Sequence, residues 1–118
     1  MPFDWREFIG IAGVLYAGGG PMDQESARRS AVSRAYYAAF CHVRNHAQQN
    51  FGFRPSYEAR DHGALTEILR RRRDMRTPGQ LARLRGWRNS CDYDNDVTGL
   101  DSMTPRAIEL ARDIVQRF

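Results

Sequence analysis

The chain has no lysine: all 18 of its basic residues are arginine, set against 14 acidic residues for a formal net charge of +4. A phosphate-cradling P-loop is excluded with it, because Gly18-Gly19-Gly20 is followed by no lysine and preceded by no strand pattern, and reads as a helix stop. Cysteine is scarce. The two thiols, Cys41 and Cys91, form neither a CxxC pair nor a recognisable Cys and His framework, and no HExxH motif or glycine-flanked nucleophile accompanies them. Long apolar runs are missing too: Phe8 to Ala17 is broken by Gly10 and Gly13 and is too short to span a bilayer, so no membrane partner is expected. Nothing at the N-terminus combines a charged start, an apolar run and a cleavage site, which leads us to expect a cytoplasmic protein with reduced thiols.

What is present is an ordinary globular balance of 42% apolar and 27% charged residues over 118 positions, enough for one domain, residues 1–118, and one core. Chains this short leave much surface wet, and pairing with a second copy is a common remedy, so a homodimer is expected. The all-arginine composition suits phosphates, carboxylates and flat rings, and it equally suits the codon bias of a GC-rich genome.

Caps and periodicity predict an all-α fold, an up-and-down bundle of about five helices. Asp4 with Glu7 forms a capping-box pattern opening a first helix whose face would carry Phe8, Ile11, Ala12, Leu15 and Tyr16, and which would stop at Gly18-Gly19-Gly20-Pro21. Asp23 is placed to cap a long second helix ending near Gln49. Ala27, Ala31, Ala35 and Ala38 recur along that helix at spacings that let another helix approach closely, which makes it the expected centre of the bundle. A third helix is expected over 60–73 around Leu65, Ile68 and Leu69. Thr77-Pro78 and Thr104-Pro105 then give a cap plus first-turn proline for the fourth and fifth.

Three constellations carry possible chemistry. Arg70-Arg71-Arg72-Arg73 would spread round most of a helix and complement its C-terminal dipole, or with Arg76, Arg83, Arg85 and Arg88 form a phosphate-binding surface; Arg70, Arg71, Arg73 and Arg85 are the nucleic-acid candidates. His42 and His46 lie four residues apart on one helical face but need a third ligand, so neither a metal nor any other cofactor is expected. The third is Trp87-Arg88-Asn89-Ser90-Cys91-Asp92-Tyr93-Asp94-Asn95. Arg88 and Asp92, at i and i+4, could bond one another, or Arg88 could grip a phosphate that Asn89 positions while Asp92 or Tyr93 orients the arginine.

The segment Ser33-Arg34-Ala35-Tyr36-Tyr37-Ala38-Ala39-Phe40 resembles the HEPN family, the higher eukaryote and prokaryote nucleotide-binding helical domains. The likeness extends to His62-Gly63-x-Leu65 opening the third helix and to Leu84-Arg85-x-x-Arg88-x-x-x-Asp92-Tyr93 on the fourth, and is similar in particular to small stand-alone bacterial members. It implies a helical bundle that often dimerises around a cleft lined by the fourth helices, with Arg34, Tyr36 and Tyr37 in structural roles. Many members are metal-independent ribonucleases of toxin-antitoxin, CRISPR-linked and phage-defence systems, marked by an arginine, usually a polar residue, and a histidine after four to six intervening positions. Arg88-Asn89 matches the front of that signature, while the three possible rear positions hold Tyr93, Asp94 and Asn95. The imidazole is the group best able to move protons near neutral pH, and here it is replaced. The resemblance therefore implies first a binding module for RNA, a nucleotide or a partner protein. Its alternatives are a ribonuclease in which Arg88, Asn89, Asp92 and Tyr93 form the site, or a structural partner subunit of a nucleotidyltransferase.

Overall fold

A computed structural model describes residues 2–18 and 23–118, and over those residues it is a bundle of five α-helices without strands. The helices are α1 (Glu7–Tyr16), α2 (Gln24–Asn50), α3 (Asp61–Arg71), α4 (Thr77–Tyr93) and α5 (Leu100–Gln116). The central position of α2 follows from its small residues. Ala27, Ala31, Ala35 and Ala38 are all buried, and α1, α4 and α5 each pack on this helix while α3 lies mainly against α4. Leucines from α3 and α4 complete the core: Leu65, Leu69, Leu81 and Leu84 have almost no exposed surface, and truncating any of them to alanine would cost about 2–5 kcal/mol.

Helix ends show where local sequence signals were followed and where they were overridden. Asp23 caps α2 as expected, its carboxylate accepting from the Ser26 amide at 3.1 Å. In α1 the expected capping box does not close. Asp4 instead accepts from the Arg6 amide at 3.0 Å and from its guanidinium at 2.9 Å, and the helix begins one turn later at Glu7. The buried face of α1 is correspondingly rotated: Ile9 and Ala12 are inside, whereas Ile11 and Tyr16, expected on the apolar face, are exposed. Gly18 takes a left-handed φ of 95°, consistent with a helix stop there; Gly19, Gly20 and Pro21 of the expected stop lie outside the described residues.

Two proline signals also moved. Asp74, not Thr77, caps α4, accepting from the amides of Arg76 at 3.0 Å and Thr77 at 2.9 Å; Thr77 is buried within the first turn and receives a bond from Arg117 at 3.0 Å. α5 starts at Leu100 after Gly99 in the left-handed region, which places Pro105 inside the helix rather than at its first turn. The helix tolerates it near its start, where the neighbouring Thr104 hydroxyl donates to the Leu100 carbonyl at 2.8 Å. The arginine run is likewise divided: α3 ends at Arg71, Arg73 adopts a left-handed φ of 64°, and the Asp74 amide closes the turn on the Leu69 carbonyl at 3.0 Å.

Candidate functional site

A cleft of about 440 Å³ opens where α2, the loop before α3, α3 itself and α4 converge. From α2 come Tyr36, Tyr37, Phe40 and Arg44, which share one side of that helix because their spacings are one, three, four, seven and eight residues. The loop contributes Tyr57, α3 contributes His62, and α4 contributes Arg85, Arg88 and Tyr93. Three arginines and four tyrosines thus share one concavity. The loop is fastened by Asp61, buried at the start of α3, whose carboxylate accepts from the Ser56 amide at 2.9 Å, the Ser56 hydroxyl at 2.6 Å and the Tyr57 amide at 2.8 Å. Burial pushes the Asp61 carboxyl up, but those bonds outweigh it and hold the group below its ordinary value. Tyr57 is kept in a left-handed φ of 60°, with the Arg44 guanidinium 5.2 Å above its ring.

Arg88 is anchored from several sides without being saturated. Its Nη1 donates to the Asn89 side-chain oxygen at 2.9 Å, and its guanidinium lies 5.2 Å from the Tyr37 ring centre and 5.5 Å from that of Tyr93. Asp92 Oδ2 sits 2.8 Å from Nε, close enough for an ion pair, yet the buried Nε–H is not aimed at that oxygen and has no aligned acceptor. Proximity establishes the charge pairing; direction shows that it is not a full hydrogen bond. Asp92 also receives a long bond from the Ser33 hydroxyl at 3.4 Å.

Arg85 differs. It is half-buried and lines the same cleft, but among the described residues it has no ion-pair or hydrogen-bond partner. Beside it, His62 is 8% exposed and its Nδ1 is 3.0 Å from the Tyr36 hydroxyl, while its ring stacks on Phe40 at 5.9 Å between centres. Burial, and then the charges of Arg85 and Arg70, push the imidazole down to about 4, so it is neutral at pH 7. Tyr36 is driven the opposite way, again by burial first, and stays a phenol.

The C-terminal end of α4, which carries Asp92 and Tyr93, is held by an arginine from another helix. Arg29 Nη1 donates to the carbonyls of Cys91 at 3.1 Å and Asp94 at 2.6 Å, Nη2 donates to that of Asn95 at 3.0 Å, and Nε pairs with Glu25 at 3.1 Å. The Cys91 carbonyl is among those a helix end leaves without internal partners, and those of Asp94 and Asn95 lie in the chain just beyond it. Arg29 therefore fixes the frame on which the Arg88 to Tyr93 segment is displayed.

Of the residues singled out from sequence, Arg85, Arg88, Tyr93, Tyr36 and Tyr37 are brought together in the cleft. Asn89 and Asp92 lie beside it as partners of Arg88. Arg70, Arg71 and Arg73 are exposed around the end of α3 and do not line the cleft; Arg71 pairs with Glu67 at 3.3 Å. Arg34 is exposed, its guanidinium 4.9 Å above the Phe8 ring, so it braces α1 against α2 and not the cleft. His42 and His46 are otherwise engaged: His42 Nε2 lies 3.1 Å from the Phe118 carbonyl, and His46 packs edge-on against Phe51 and Phe118. Among the described residues, no three His, Cys, Asp or Glu side chains are gathered to hold a metal ion, and no helix is long and apolar enough to cross a membrane.

Sequence reading missed His62, Arg44 and Tyr57 as cleft residues. The hints were the His62-Gly63-x-Leu65 element of the resemblance and the place of His62 in the first turn of a helix after a Pro-containing loop, where a side chain can be delivered to a neighbouring element. No family model matches the chain, and no curated protein or solved structure matches it.

Proposed function

We propose that this protein is a HEPN-like nucleotide- or RNA-binding module whose ligand enters the cleft between α2, α3 and α4. The observation that carries the reading is Arg85, a half-buried guanidinium without an anion among the described residues, pointing to a negative group supplied from outside. Arg88 stands with it, its Nη1 bonded to the neutral Asn89 oxygen and its counter-charge, Asp92, poorly directed. Around the two cations stand the rings of Tyr37, Tyr57 and Tyr93, each with an arginine against it, a mixture of aromatic and guanidinium planes of the kind on which unpaired bases stack. Phosphate plus base is the chemistry that uses both sets. The resemblance in the second and fourth helices favours the same assignment, and it favours a homodimer.

Fluorescence titration with short single-stranded RNA at two salt concentrations tests the proposal. A saturable signal that weakens with salt and is lost in Arg88→Ala is expected; a flat response at both salts would rule the binding role out.

A second reading, a metal-independent endoribonuclease, draws support from His62. The imidazole absent from the rear of the α4 signature enters the same cleft from α3, beside Arg85 and Arg88. In that case RNA is cut without metal, and both His62→Gln and Arg88→Ala abolish cleavage. Cutting at wild-type rate by either variant excludes this site as its source.

A further inference from the structure

The cleft's charge arrangement narrows the ligand further, an inference that rests on the nucleotide-binding reading. Its volume of about 440 Å³ lies toward the small end of ligand pockets and suits one nucleotide unit better than a run of strand. Its carboxylates are committed elsewhere: Asp61 accepts three bonds from Ser56 and Tyr57, and Glu58 pairs with Arg60 at 3.3 Å. Its cations are not neutralised to the same degree. Arg85 has no described partner, Arg88 has Asp92 alone as a counter-charge, and Arg44 bonds only the neutral amide oxygen of Asn45, at 3.2 and 3.1 Å. Three lining arginines against two lining carboxylates leave the seat with a formal net charge of +1, and the donors of Arg85 are the ones with no described partner.

A phosphodiester brings a single negative charge, whereas a terminal phosphate monoester carries about −1.5 to −2 near neutral pH and has one more free oxygen. His62 supplies a further donor. With Nδ1 engaged by the Tyr36 hydroxyl, Nε2 is the ring nitrogen without a partner among the described residues. The phenol can donate to Nδ1 when the imidazole is neutral and accept from Nδ1–H when it is charged, so Nε2–H remains a donor in both states.

We propose that the cleft is a seat for the terminal phosphate monoester of one nucleotide unit, with Arg85 and Arg88 as its cation partners and His62 Nε2–H as an additional donor. Recognition is then coupled to protonation. Within the cleft the imidazole faces Arg85 and Arg88 of α4, with Arg44 of α2 and Arg70 of α3 adding to the same field. The remaining titratable groups around it are Tyr36 and Cys41, both kept protonated by burial, and the committed Asp61 and Glu58, with the phenols of Tyr37, Tyr57 and Tyr93 further out. A doubly charged phosphate opposes that field and raises the His62 imidazole back toward its ordinary value.

Four probes separate the possibilities by calorimetry: adenosine, adenosine 5′-monophosphate, and a tetra-adenylate RNA with either a 5′-hydroxyl or a 5′-phosphate. We expect the monophosphate to bind at least about tenfold more tightly than adenosine, and the 5′-phosphorylated strand more tightly than its hydroxyl twin by a similar factor. The His62 imidazole resonance should titrate about one unit or more higher with the monophosphate bound. Arg85→Gln, which removes no bond within the described chain, should lose the preference for phosphate, so that adenosine and its monophosphate bind alike, and it keeps the test open if His62→Gln fails to fold. Equal binding of the two strands, or an unmoved His62 titration, overturns the inference and leaves the nucleotide reading standing. Absence of saturable binding by all four probes overturns both.

Discussion

Arg29 and Arg85 are both half-buried arginines on long helices of the same bundle, yet their surroundings are opposite. At the exit of α4, Arg29 is surrounded by acceptors: three backbone carbonyls and Glu25 take up its donors. In the cleft, Arg85 faces an imidazole, phenols and two further arginines, and no described acceptor reaches it. A cation whose donors are matched within the fold contributes to holding the fold. One left without a protein anion at a concavity keeps its donors for water or a ligand, and it marks a candidate site better than arginine abundance does.

This contrast can be broken most forcefully at Arg29. Arg29→Met should lower stability by about 2–3 kcal/mol, since it strips charge-assisted bonds from the α4 end, and chemical denaturation will show it as a shifted midpoint with an unchanged slope. Acidification probes the other region. The folded His62 lies at about 4 against an ordinary value of 6.5, so the unfolded chain takes the proton first as pH falls. Its stabilising contribution is complete above about pH 6.5 and disappears towards pH 4, with a ceiling of about 3 kcal/mol; the difference between wild type and His62→Gln denaturation across that window isolates it. If the two proteins lose stability in parallel, the imidazole is not the neutral, buried group described here.

Much of the architecture was legible in the chain because it depends on neighbours within a turn or two. Asp23 capped its helix, and the alanine spacing along α2 marked the central helix, since both effects are local. Capping by Asp74 was hidden behind the more conspicuous Thr77-Pro78, and Pro105 looked like a start because its tolerance inside α5 depends on the turn that Gly99 permits. At the candidate site, the i, i+4 geometry of Arg88 and Asp92 could be read directly. The arrival of His62 at Tyr36, 26 positions away, and the bonds from Arg29 to carbonyls 62 to 66 positions away could not, because such contacts come from packing rather than periodicity.

Smaller effects sharpen the comparison. Arg85→Gln should change folding stability by no more than about 0.5 kcal/mol while reducing affinity for adenosine 5′-monophosphate about tenfold, the reverse of what Arg29→Met does per unit of stability lost; paired thermal melts and calorimetry check both halves. Asp92→Asn should be milder still. Its ion pair with Arg88 is partly solvated and poorly directed, so about 0.5 kcal/mol of stability is at stake. Freed from its counter-charge, Arg88 should bind the phosphate slightly more tightly, and a weakened affinity would instead make Asp92 a group that orients the guanidinium.

The buried state of the two thiols has a practical consequence. Cys41 and Cys91 are each only 4% exposed; burial pushes both up, Cys91 to about 11, and leaves little thiolate at neutral pH. Tyr93, by contrast, is exposed at the rim of the cleft. A Tyr93→Cys substitution would therefore introduce the one readily alkylated sulfur of the chain, so that a maleimide fluorophore could be installed there without first removing the native cysteines, and its emission would report directly on what enters.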